Sequence, residues 1–291
     1  MFAIIGIFVV TGCVLGGYAM AHGPFAILFQ PAEVVIIGGA ALGGLLTGTP
    51  LPVLKMIASK LPGVFGSSPY NKQAYLSMLS MLYEIFGKAR KEGLIALEQE
   101  VNNPEQGEIF RKYPQFLKNH HAVDFLCDTL KLMVNGVTDT FEIEKAMDAE
   151  LETHHQEGAL PSGVLAKVGD GLPGLGIVAA VLGIIITMQS IDGPVEEIGH
   201  HVAAALVGTF LGILMSYGYI QPISSQLEHM AHEESKFLES IKAASSRSRA
   251  APIRSWPLNS RGKSSTPLTG PRTQKWKKPA SKPRMPSLHE Q

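Results

Sequence analysis

The chain has 291 residues, 45% of them hydrophobic and only 17% charged, against about 25% charged in an ordinary soluble domain. Its formal net charge of zero hides an uneven partition: four stretches are almost uncharged and the middle carries most of the charge. Such unevenness excludes a plain soluble domain and indicates a membrane protein with a soluble insert.

In chain order, residues 1–21 form the first uncharged run, about the 20 apolar residues a helix needs to cross a bilayer. Ala19-Met20-Ala21 has the small-x-small form of a cleavage site, but no Lys or Arg precedes Lys55. A secretory leader starts with a basic segment, so the run is expected to stay as a span. Residues 34–54 make a second span, with Gly39-x-x-x-Gly43 and Gly44-x-x-x-Gly48 as packing signals.

The middle, residues 50–171, is predicted to be helical, with no alternating strand pattern of any length. Residues 73–90 place Leu76, Leu79, Leu82, Ile85 and Phe86 at helical spacing. Residues 116–133 are a further helix, and Asp139 followed by Glu142 is a capping box for a helix over residues 140–156. His120/His121, His154/His155 and His200/His201 are adjacent pairs. Neighbours on a helix point about 100° apart, so no pair chelates by itself and no metal is expected. Cys13 and Cys127 sit in segments of different kind, so both are read as buried thiols and not as a disulfide.

Gly169-Asp170-Gly171-Leu172-Pro173-Gly174 fits the letters of a dinucleotide loop. That loop works only between a strand and a soluble helix. Here no β-rich run precedes it and a bilayer-length apolar run follows. The better reading is the start of the third span, residues 172–191, because proline is tolerated in a first helical turn. The fourth span is residues 202–223 and ends near Pro222. Gly176, Ala180, Gly183 and Thr187 share one helical face, as do Ala205, Thr209, Gly212 and Ser216. These stripes suit either close packing or the lining of a passage.

Lys and Arg set orientation. Connections 22–33 and 192–201 have none, whereas the middle and the segment after Pro222 have many. The large loop and both termini are therefore expected on the cytoplasmic side. Inside the four runs there is no Asp, Glu, Lys, Arg or His; Glu33, Asp170 and Asp192 lie at their ends. An ion relay usually keeps an ionisable group at mid-membrane, so a partner chain is expected to bring it.

Several segments together are similar to one family. "QPAEVVIIGG", "YPQFLKNHHAVDFLCD", "TFEIEKAMDAELETHH", "VGDGLPGLGIVAAVLG" and "ALVGTFLGILMSYGYIQPI" resemble the MotA branch of the MotA/TolQ/ExbB superfamily, in order and spacing, over about residues 1–253. The resemblance implies an all-α polytopic fold: transmembrane helices 1 and 2 (1–54), a cytoplasmic helical domain (55–170), transmembrane helices 3 and 4 (171–223) and a cytoplasmic extension (224–249). It implies a flagellar stator subunit of the bacterial inner membrane, a motor component and not an enzyme, with no cofactor and no nucleic acid. Five copies would surround two MotB-type single-span subunits, each with a proton-accepting Asp, and push the rotor switch protein FliG. Arg90 and Glu98, within "ARKEGLIALE", match the charged pair at the rotor, with Glu150 assisting. Pro173 and Pro222, with Asp170, match a proton-coupled hinge. Ala180 and Thr209 match pore-facing positions; sodium-driven relatives place Thr where this chain has Ala180, so the coupling ion implied is H+. The alternatives are an ExbB/TolQ-like energiser of a periplasmic partner and a passive membrane scaffold. After residue 253 the chain departs from the family, and residues 250–291 are read as a basic, Pro/Ser-rich tail of disordered composition.

Overall fold

The computed structural model describes residues 2–137, 139–189 and 191–250; the expectation for the tail from residue 251 falls outside them. Four helical segments are long and apolar enough to cross a membrane, and no strand occurs among the described residues.

The first is α1 (Phe2–Met20). A one-turn helix α2 (Phe25–Leu28) leads to α3 (Pro31–Gly48), which opens on proline at its first position and stops ahead of Pro50. The residue before a proline is driven out of the helical region, and Thr49 is extended at φ −130°, ψ 125°. The second span therefore ends short of the expected residue 54, and α4 (Leu51–Lys60) continues in a new direction.

The large segment between the second and third spans begins with α5 (Lys72–Glu92), capped where the Asn71 side chain accepts the Ala74 amide at 3.0 Å. Its buried face is Met78, Met81, Leu82 and Ile85, whereas Leu76 is 54% exposed. The apolar stripe is thus turned from the expected one, because unbranched Met side chains fill the irregular space. Gly93, at φ +88°, makes the turn into a 3-10 turn at Leu94–Leu97 and then α6 (Glu98–Asn102). A second 3-10 turn (Phe110–Lys112) and α7 (Pro114–Leu117) lead to α8 (His120–Val134). The expected 116–133 helix is thus broken near Asn119, whose side chain accepts the Ala122 amide at 3.2 Å and caps the second piece. Phe125, Leu126 and Leu130 on its inner face are fully buried, as are Phe110, Ile143 and Met147. Burial pushes the Cys127 thiol up to about 12; both cysteines are free thiols, but Cys13 is exposed on α1 and not buried as expected.

The dominant element is α9 (Thr140–Gln189), 50 residues with Pro161 and Pro173 inside it. Asp139 does start it, accepting the Phe141 amide at 2.9 Å. The expectation of a third span that starts as its own helix at residue 172 is corrected: the helix that opens at Thr140 and the span are one rod. Two interior prolines cost about 3 kcal/mol each in an isolated helix, so neighbouring helices must supply the difference. One neighbour is α10 (Val195–Ile213), which widens into a π-helical turn (Leu214–Ile220) and runs on as α11 (Gln221–Ala250). Pro222 also lies within a continuous run and does not end it. The wide turn accommodates the donor that Pro222 lacks and its ring against the carbonyl four residues back. Thr11 of α1 meets the Tyr219 hydroxyl of that turn at 2.9 Å.

Candidate functional site

The two small-residue stripes meet each other. A β-carbon at Gly176 would sit 2.8 Å from the Gly208 carbonyl and 3.1 Å from the Gly212 Cα. One at Gly212 would sit 2.7 Å from the Leu172 carbonyl and 2.8 Å from the Gly176 Cα. One at Gly183 would sit 2.7 Å from the Ala205 methyl. Glycine is required here because the α9 and α10 backbones touch. Of the two residues expected to face a pore, Ala180 is buried within the protomer at 8% exposure, while Thr209 is half-exposed. Close packing therefore accounts for the glycines, and Thr209 remains open to a partner.

Glu33 is the feature that sequence reading placed at a span end and passed over. It lies in the first turn of α3 but is only 7% exposed. Its Oε2 finds no hydrogen-bond donor among the described residues and lies 2.5 Å from the place a Gly208 β-carbon would take. The only hint in the sequence is the pair of glycines, Gly183 and Gly208, that make room for the carboxylate; their relation to residue 33 is purely tertiary.

At the base of the seam, the proline level is a layer of contacts. Gly169, four residues before Pro173, lets α9 approach α11: its β-carbon would be 3.1 Å from the Gln221 Cγ. The Gln221 amide donates to the Asp170 carboxylate at 2.5 Å. Asp170, three residues before Pro173, and Gln221, next to Pro222, thus bind across the two helices. Just below, the Ser224 hydroxyl donates to the Ser162 carbonyl at 2.8 Å in a buried setting. Gln221 had no sequence signal, since a glutamine after an apolar run is ordinary.

Arg90 and Glu98 are both exposed and flank the Gly93 turn. Between them Ile95 is 76% exposed and Leu97 fully buried, so the turn is anchored by one side chain and presents another. Its far side is pinned by Glu100, 3% exposed, which takes Lys88 at 3.1 Å and the Ile109 amide at 3.2 Å. Glu84 adds a second tie, accepting from Lys112 at 3.0 Å and the Tyr113 hydroxyl at 2.8 Å; those donors, Lys112 first, hold its carboxyl below the usual range. Glu150 is elsewhere, half-buried on α9 and facing Asp128 and Asp124 of α8. No contact joins it to Arg90 or Glu98 among those described.

Glu100→Ala should loosen the turn. It leaves the Ile109 amide without its partner and Lys88 unpaired. Loss of a buried pair costs about 3–5 kcal/mol; Lys88 is a quarter exposed, so about 2 kcal/mol is expected after solvent screening. A thermal melt of the detergent-solubilised chain reads this, and an unshifted transition would mean the carboxylate contributes nothing.

The histidine pairs divide in the fold. His121 and His154 come together across two helices, with Glu234 of a third beside them, an arrangement that neighbour spacing cannot reveal.

Comparison with known proteins gives a consistent result. A family model described as motility protein A, N-terminal, matches residues 4–93, and the MotA/TolQ/ExbB proton channel family model matches residues 118–240. The chain is 43% identical over 242 residues to motility protein A of Salmonella typhimurium, covering 83% of this chain and 82% of the relative. The same identity and coverage hold for motility protein A of Escherichia coli. The fold is similar to the solved structure of C. jejuni MotAB, with a TM-score of 0.70 at 22% identity, covering 87% of this chain and 91% of the other.

Proposed function

Because the chain belongs to the MotA/TolQ/ExbB proton channel family, in its motility protein A group, we propose that it is the A subunit of a flagellar stator. It is a membrane component of a motor that couples proton flow to rotation. The N-terminal family match and the 43% identities carry this reading over the energiser alternative. It works with a single-span MotB-type subunit, in an oligomer that we take to be five copies around a B dimer. Its span ends and large loop are oriented with the basic segments and both termini in the cytoplasm.

The proton-accepting carboxylate comes from the B subunit, facing the half-exposed Thr209. Proton binding there shifts the B helix against the α9/α10 seam. The seam has backbone contacts and cannot compress, so the shift passes down to the Asp170–Gln221 layer, where Pro173 and Pro222 each remove one backbone hydrogen bond. The helices bend there at least cost. The membrane potential gives only about 2.3 kcal/mol per charge per 100 mV, so rotation advances in many small steps. At the cytoplasmic end, Arg90, Ile95 and Glu98 engage FliG, the exposed isoleucine supplying apolar area and the flanking charges supplying register. Glu150, being half-buried among acids, assists at a distance.

Two measurements test this. Deleting the gene in its host should leave assembled flagella that do not turn; normal swimming of the deletion strain would remove the assignment. Arg90→Glu should cut swimming speed several-fold and regain it partly when a reversed charge is placed on FliG. If no rotor reversal restores it, Arg90 is only a solvated surface residue.

A further inference from the structure

We propose that the cytoplasmic domain carries a binding site for one divalent cation of the Zn2+ class, built from His121, His154 and Glu234. The donors come from three helices: His121 from the first turn of α8, His154 from α9 and Glu234 from α11. His121 Nδ1 and His154 Nε2 lie 3.0 Å apart, and His154 Nε2 lies 3.7 Å from Glu234 Oε1. The three donor atoms are within 4.8 Å of one another.

These separations suit a small tetrahedral ion. With bonds of about 2.0–2.2 Å, neighbouring ligand atoms sit on the order of 3.3 Å apart, and the two measured edges bracket that value. Two imidazoles and one carboxylate are the donor set that borderline divalent metals take, leaving a fourth position for water. The rings lie edge to face, with centroids 4.7 Å apart, so each turns one nitrogen toward the other. Glu234 is 9% exposed and is oriented from behind: Lys60 Nζ lies 3.4 Å from its second oxygen, Oε2. Ligating carboxylates are usually held by such an outer partner. Lys60 opposes the ion's charge, while the Glu157 carboxylate near His154 favours it.

The site joins α8 to the α9/α11 stem. A bound ion therefore clamps the α5–α8 segment to the rods that enter the membrane, independently of whether the stator assignment holds.

The test uses the full chain co-purified with its B partner through an affinity tag free of histidine. Zn2+ is titrated against a chromophoric chelator, and Co2+ is used as the spectroscopic probe. The expected result is one tightly held ion per A chain, with the visible absorption of tetrahedral Co2+. His154→Ala should weaken Zn2+ by more than the 10–100-fold that loss of an outer-shell partner costs. His121→Ala should do the same. Should His154→Ala fail to fold, His121 decides, because it is exposed in a first turn: His121→Cys restores a donor and should keep the ion. Equal Zn2+ affinity in wild type and His121→Ala, or no Co2+ absorption in wild type, overturns the site.

Discussion

Gly212→Ala should abolish motility and lower the amount of folded chain in the membrane. The new β-carbon falls 2.7 Å from the Leu172 carbonyl and 2.8 Å from the Gly176 Cα. Both are backbone atoms, so no side chain can swing aside and α9 and α10 must part by a large fraction of an ångström. Overpacking a well-filled interface typically costs about 1–3 kcal/mol, and an obstacle made of backbone belongs at the upper end. The separation also spoils the α9/α10 seam along which a proton-driven shift is to travel. Soft-agar swimming and a detergent melt read the two effects. Gly163→Ala is the control: on the part of α9 before Pro173, nothing lies within 4 Å of the added carbon. It should be neutral or stabilising by about 0.5–1 kcal/mol. Wild-type swimming by Gly212→Ala would show that the helices are not in contact in the working complex.

The second large effect is opposite in kind. Pro173→Ala should leave insertion and protein level intact or raised, yet stop rotation. Alanine restores an amide that can donate to the Gly169 carbonyl, and it removes an interior proline that costs about 3 kcal/mol. The rod becomes stiffer at the level where Asp170 binds Gln221 across the helices. Tethered cells expressing this variant should stay still while a normal quantity of stator is found in the membrane. Rotation at wild-type speed would mean Pro173 has no mechanical role. The contrast with Gly212→Ala matters, because one variant loses function through lost stability and the other through gained stability.

The four spans were legible because bilayer length and absence of charge are properties of single segments. The close α9/α10 packing was half legible: the stripes of small residues were visible, but their partners were not. What escaped the sequence is where tertiary packing overrides a local rule. Pro173 and Pro222 satisfy the local criteria for helix ends, yet α9 and the α10–α11 run pack along each other and the chain stays helical through both. Asn119 breaks a pattern that periodicity alone carried across it. Glu33 has the composition of a span end and the surroundings of a core, because Gly183 and Gly208, far along the chain, leave it space. His121 and His154 belong to separate pairs, each uninformative, and meet only because α8 folds back on α9.

The unbroken course of α9 makes it a lever. From Pro173 back to Thr140 the helix runs about 50 Å at 1.5 Å per residue. A tilt of about 5° at its fulcrum would sweep the far tip through roughly 4 Å over that arm length. A small displacement near the fulcrum is thereby magnified to the size of a side chain at the Thr140 end, and the gearing is set by nothing more than the number of residues beyond the bend.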